Sequence, residues 1–178
     1  LATSVRSFRT PDLAAFVKAV LDADTQNAKN LYQRIKDKYP IVITRDLNKA
    51  KDWVREHCQG TTRYGLLSSS GALRLKPEGI FVKNEISVAN WFLNGKDDVR
   101  SSYMLEDVVT EFDIQGLELD YTCILWDADM RCENDKWNFY KFNGQTKWNK
   151  VIPDTENNQE QIKYMLNAYR VLLTRARA

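Results

Sequence analysis

The chain has 178 residues, 43% hydrophobic and 28% charged, and its 26 Lys and Arg against 24 Asp and Glu leave a net charge of +2. This balance excludes binding of polyanions by bulk charge, so nucleic acid would have to be met by a local patch. The composition also excludes collagen-like, coiled-coil and disordered classes, and the length suits one domain with its own core.

Pro11, Leu13, Phe16, Val17, Val20 and Leu21 have helical spacing, with Thr10 as N-cap and Pro11 at the first helical position. A second helix is predicted over Thr25 to Lys38, with Ala28, Leu31, Tyr32 and Ile35 on one face and Pro40 as its stop. Ile41-Val42-Ile43-Thr44 is a β-branched run that predicts a short buried strand. Asp46 then caps a helix with Leu47, Ala50, Val54, His57 and Cys58 on its apolar face, closed by Gly60. Tyr64 to Leu67 predicts a strand running into Ser68-Ser69-Ser70-Gly71, and Ser87 to Leu93 a short helix. Asp107 to Thr110 and Tyr121 to Trp126 predict two more strands, the second apolar enough to be central. A hairpin is expected over Trp137 to Val151 with Asn143-Gly144 as its turn. The last helix starts near Asn157 and carries Ile162, Met165, Leu166, Tyr169, Leu172 and Leu173 as a broad stripe.

Strands alternating with helices at these intervals predict an α/β domain of three layers around a mostly parallel sheet. Ligands of such folds gather at the carboxyl ends of the strands, here Thr44–Asp46, Ser68–Arg74, Thr110–Glu118 and Trp126–Asp129. Three cysteines (Cys58, Cys123, Cys132) without a C-x-x-C pair, and one histidine (His57), speak against a disulfide framework and against zinc. They favour a reduced, cytoplasmic compartment. No apolar run reaches the roughly 18–20 residues that span a bilayer, so no membrane partner is expected. Nothing at the start resembles a signal peptide. Opening on Leu1 rather than Met is what a piece of a longer protein would show.

A phosphate-cradling P-loop, G-x-x-x-x-G-K-[ST], is absent: Gly60 to Gly65 has the glycine spacing, but Leu66-Leu67 follow where Lys and Ser or Thr are needed. Cys123-Ile124-Leu125-Trp126-Asp127 has the outline of a metal-holding Walker B strand without its following Glu, and we assign no metal ligands. Thr110-Glu111-Phe112-Asp113-Ile114-Gln115-Gly116-Leu117-Glu118 joins two strands and gathers Gln, Glu and Asp around one glycine. Arg175 lies just beyond the apolar stripe of the last helix, where a guanidinium fork suits phosphate oxygens; the bland reading is a cation offsetting the helix dipole.

Gln115-Gly116-x-Glu118-x-Asp120 before an apolar strand, then Leu173-Thr174-Arg175-Ala176-Arg177 ending a later helix, resemble motifs V and VI of superfamily 1 helicases. Leu1-Ala2-Thr3-Ser4-Val5-Arg6-Ser7 resembles motif IV, with Val5 in place of an aromatic. Gly65 to Ala72, Asp98 to Ser102, Thr110 to Glu118 and Asn167 to Arg175 together resemble the C-terminal portion of a bacterial helicase-like family related to the Schlafen helicase domain. The resemblance implies the second RecA-like domain of a two-domain motor, lacking its own P-loop. Arg175 then corresponds to the arginine finger and Arg6 to the arginine assisting it. Gln115, Gly116 and Glu118 correspond to positions near the nucleotide, and Thr110 to a contact with the nucleic-acid backbone; Phe112 departs from a His common in relatives. ATP with Mg²⁺ would be held mainly by an upstream P-loop domain of the same protein, and single-stranded DNA or RNA would be the track.

Ser69 and Arg74 of the serine-rich turn are candidate nucleic-acid contacts, with Arg63 and Lys76 nearby. Lys136, Trp137, Tyr140, Lys141, Lys147 and Trp148 interleave cations and rings as stacking platforms do; the bland reading is a small hairpin core. Two other functional classes stay open at this level. One is a non-hydrolysing interaction module of RecA-like shape; the other is a metal-dependent nuclease built on Glu118, Asp127 and Asp129.

Overall fold

The structure is a computed structural model that describes residues 11–143 and 147–177. Arg6 with the rest of the motif IV-like segment, the Thr10 cap and Gly144 of the hairpin turn lie outside the described residues. Helices α1 (Pro11–Leu21) and α2 (Thr25–Ile35) come first along the described chain, the second capped by Asp24, whose side chain accepts from the Asn27 amide. Helix α2 ends earlier than the expected Lys38; turns carry the chain to a buried Tyr39.

The β-branched run Ile41–Thr44 is not a strand. It is extended loop, with Ile43 94% exposed. β-Propensity measures fit to a pleated, half-buried surface, and no described strand lies beside this run to supply one. Thr44 instead turns the chain into the next helix by accepting from the Asp46 amide through Oγ1 at 3.1 Å. Asp46 caps α3 (Leu47–His57) through the Lys49 amide, and Gly60 follows in the left-handed region.

Strands β1 (Tyr64–Ser68), β2 (Val108–Val109) and β3 (Tyr121–Leu125) form a parallel sheet in the order β2-β1-β3. The centre is therefore β1, buried throughout, whereas β3 is half-buried and takes an outer place despite its apolar sequence. The side-chain alternation of β1 divides the core in two. Leu66, level with Val108 and Cys123, faces Val54 of α3 together with Tyr103 and Leu105. Leu67, level with Val109, faces Val17 and Leu21 of α1, and Tyr169 and Leu172 of α5 (Glu156–Leu173). Helices thus cover both faces, the three-layer α/β arrangement expected and compatible with a RecA-like fold.

Gly65 allows a close approach: a Cβ there would lie 2.4 Å from the ring of Trp91 on α4 (Val88–Leu93). After β3 the chain builds a second, antiparallel sheet in the order β4-β5-β6, from β4 (Met130–Glu133), β5 (Lys136–Asn143) and β6 (Lys147–Lys150). β5 and β6 are the expected hairpin, and β4 is an addition that the short polar Arg-Cys-Glu run did not announce. Trp137 anchors this sheet by donating from Nε1 to the Val20 carbonyl of α1 at 2.7 Å. No described helix is long and apolar enough to cross a membrane.

Candidate functional site

The three parallel strands end on one rim, and their loops are tied to one another by named side chains. Ser68 Oγ donates to the Leu125 carbonyl at 2.8 Å, locking the last pair of β1 and β3. Ser70 donates from its amide (2.8 Å) and its hydroxyl (2.6 Å) to the carboxylate of Glu111, joining the loops after β1 and β2. The Arg74 amide donates to Asp127 at 3.0 Å, joining the loops after β1 and β3. Buried Tyr169 reaches up from α5 and donates to Asp129 Oδ1 at 2.5 Å.

Asp129 is 2% exposed, and its second oxygen has no hydrogen-bond partner among the described residues. Burial raises its pKa from the ordinary carboxylate value, against the hydrogen bond from Tyr169 and the nearby Ser69 hydroxyl that favour the ionised form. Tyr169 is pushed well up by burial and by the neighbouring Asp129 carboxylate. Burial likewise takes the thiols of Cys58 and Cys123 to about 11, so neither is a thiolate nucleophile at neutral pH.

The segments singled out at the two ends of the motor-like pattern meet in space. The Leu119 amide donates to the Arg175 carbonyl at 3.1 Å, and the Arg177 amide to the Leu119 carbonyl at 2.8 Å, so the tail adds a parallel bridge beside the Gln115–Glu118 turn. Gly116 makes this turn in the left-handed region at φ 89°, which glycine adopts without strain. Gln115 and Gly116 are exposed, and Glu118 pairs with Arg177 at 2.9 Å.

Arg175 is 8% exposed. Its Nε donates to the Val171 carbonyl at 3.2 Å, its Nη1 is buried without a partner, and it forms no salt bridge among the described residues. The second arginine of the Leu-Thr-Arg-Ala-Arg run, Arg177, is the one that presents its guanidinium outward. A run with two arginines two positions apart was the sequence signal for it.

The nucleic-acid candidates separate. Thr110 is buried, and both its amide and hydroxyl donate to Asp113, at 2.8 and 2.7 Å. Ser69 is buried and accepts from the Gly71 amide at 3.1 Å. Arg74 is exposed at the same rim. Arg63 sits at the opposite end of β1, over the rings of Phe92 and Tyr103, with Nη1 on the Asn94 carbonyl. The Asp98–Ser102 segment builds the turn there: the Arg100 fork and amide hold Asp98 down to about 2.

Three acids named for a nuclease go different ways. Asp129 points to Tyr169, Asp127 caps the Arg74 and Ala128 amides, and Glu118 faces Arg177. Among the described residues no group of three or more His, Cys, Asp or Glu side chains is placed to hold a metal ion. Glu111 and Tyr169, which knit the rim together, were visible in the sequence only as a loop acid and a stripe residue.

The family model described as Schlafen group 3, DNA/RNA helicase domain, matches residues 1–178. The chain belongs to that family. Neither the curated proteins nor the solved structures return a match. A Schlafen-type helicase domain is accordingly helicase-related and points to nucleic acid as its partner, and the rim just described is where the sheet of such a domain offers its loops.

Proposed function

We propose that this Schlafen-type domain is the second RecA-like motor domain of an ATP-dependent nucleic-acid helicase or translocase, completing a nucleotide site whose P-loop lies on an upstream domain of the same protein. The observation that carries this reading is a tail whose backbone is bridged to Leu119, next to the Gln115–Glu118 turn, and whose buried Arg175 keeps an Nη1 with no hydrogen-bond partner and no salt bridge among the described residues. An uncompensated buried cation is costly, and an anion satisfies it. The donor set fits a phosphate: Arg175 and Arg6 would meet the γ-phosphate end, and Gln115, Gly116 and Glu118 the nucleotide beside it. ATP with Mg²⁺ supplies the transferable phosphoryl group. Phosphoryl transfer depends on positioning and charge stabilisation, so an arginine brought from a second domain is decisive when a cleft closes. Because Arg175 is buried, domain closure has to be accompanied by a turn of its side chain out of the Val171 contact. Nucleic acid would be met at the rim by Arg74, with Ser69 and Thr110 shaping the loops behind it.

The test is ATP turnover by the full-length protein carrying Arg175→Ala, alongside Arg175→Lys. A finger arginine is worth roughly 10³–10⁵ in turnover, so the alanine variant should lose at least about 10³-fold while its melting transition persists. Lysine, a point charge without the fork, should restore only part of it. Near-normal turnover in a folded Arg175→Ala protein overturns the assignment and favours an interaction module that keeps the shape without the chemistry.

A further inference from the structure

We propose that the outer face of the β4-β5-β6 sheet is a stacking platform for single-stranded nucleic acid, separate from the rim of the parallel sheet. The inference rests on the nucleic-acid reading of the domain, not on its ATP chemistry.

Strand register sorts the hairpin into two faces. Trp137 and Phe139 point into the main core, Phe139 level with Met130. The opposite face carries Arg131 level with Asn138, Tyr140 level with Lys150, and Phe142 level with Trp148. On it the Arg131 guanidinium lies 3.9 Å over the Tyr140 ring and 5.4 Å from the Trp148 ring, and Phe142 and Trp148 are 5.1 Å apart. Arg131 is steadied by Nε donating to the Ala128 carbonyl at 2.7 Å. Exposed Lys136 and Lys150 also lie on this face, and neither lysine nor Arg131 forms a salt bridge among the described residues. Glu133, the acid beside them, is engaged by the Tyr140 hydroxyl. Trp148 Nε1 is a buried donor with no acceptor among the described residues.

The charge is concentrated here. Between positions 130 and 150 Arg131, Lys136, Lys141, Lys147 and Lys150 face only Glu133 and Asp135, a net +3 in a chain whose total is +2. An ordinary hairpin core would turn all its rings inward. Three rings left on the outer face, interleaved with cations that form no salt bridge among the described residues, match bases and phosphates together. An acidic peptide would use the cations and leave the rings without a partner.

The experiment uses fluorescence anisotropy of a labelled single strand of about 12 nucleotides, within the range such platforms cover, with the 178-residue chain and no ATP. Lys136→Glu/Lys150→Glu is compared with Lys141→Glu/Lys147→Glu, the same charge change on the other face of the hairpin. The outer-face pair should weaken binding and flatten its salt slope by about 1.4, about 0.7 for each phosphate no longer neutralised. The inner-face pair should keep the wild-type slope. Trp148→Ala should weaken binding about 5- to 150-fold, the equivalent of one stacked base, with a smaller loss on an abasic strand of equal length. Equal losses for both lysine pairs, no loss for either, or equal competition by polyglutamate overturns the platform. Should Trp148→Ala unfold, the lysine pairs still decide. None of these outcomes bears on Arg175.

Discussion

At the scale of single residues, Asp129 is the group whose chemistry the fold changes most. Buried under the rim and bonded by Tyr169, it binds its proton more tightly in the folded chain than in the unfolded one, because desolvation outweighs the hydrogen bonds it accepts. Folding therefore takes up a proton at this site. Its contribution to stability is complete below the unfolded value of about 3.9 and fades as pH rises through the raised folded value. Asp98 runs the other way: held at about 2 by Arg100, it contributes above the unfolded value and loses that contribution as acid approaches 2. Replacing Asp129 by Asn, which still accepts from Tyr169, should remove the first dependence. Urea midpoints measured from about pH 4 to pH 7 should then fall less with rising pH in Asp129→Asn than in the wild type. Parallel profiles would show that this carboxyl titrates as though it were never buried.

Among the elements, β1 is the one on which the others depend. It pairs on both sides, sends Leu66 into one half of the core and Leu67 into the other, and at Gly65 lets Trp91 of α4 lie against its backbone. A methyl at Gly65 would sit 2.4 Å from the Trp91 ring and 3.2 Å from Ser102 Cβ, and Trp91 is itself tied by Nε1 to the Asp107 carbonyl just before β2. Overpacking of this kind typically costs about 1–3 kcal/mol. Gly65→Ala should lower the melting temperature by several degrees, at about 2–4 °C per kcal/mol for a domain of this size. A thermal melt indistinguishable from wild type would mean that Trp91 moves aside freely. The same strand also orders the rim, since Ser68 and the Ser70–Glu111 bond hang from its carboxyl end.

On the scale of the whole molecule, the parallel sheet and its covering helices bring two regions far apart in sequence together, Leu119 at the end of the Gln115–Glu118 turn forming a bridge with the Arg175–Arg177 tail. The sequence carries the tail arginines and no phosphate cradle, for no G-x-x-x-x-G-K-[ST] run occurs in the 178 residues. The chain by itself should therefore show no ATP turnover above background in a phosphate-release assay, with or without single-stranded nucleic acid. Turnover that survives repurification would remove the need for a second domain and with it the proposed division of labour.

The five helices, apart from the early end of α2 at Ile35, and the core strand β1 were legible in the residues, because caps, prolines and apolar periodicity act over a few positions. Burial and pairing act between positions far apart in sequence. Ile41–Thr44 has every local mark of a strand, yet among the described residues no neighbour covers it and it stays in solvent. β3 reads as central and takes an outer place because β1 holds both partners. The run of rings and lysines in the hairpin is one string in sequence, and only its pairing register tells the anchoring Trp137 from the outward Tyr140 and Trp148. Residue types thus determined what chemistry was available, including the missing P-loop and the tail arginines. Which guanidinium lies buried with an unpartnered Nη1 among the described residues, and which acids bind the rim together, was decided by the packing of elements that the chain brings together only on folding.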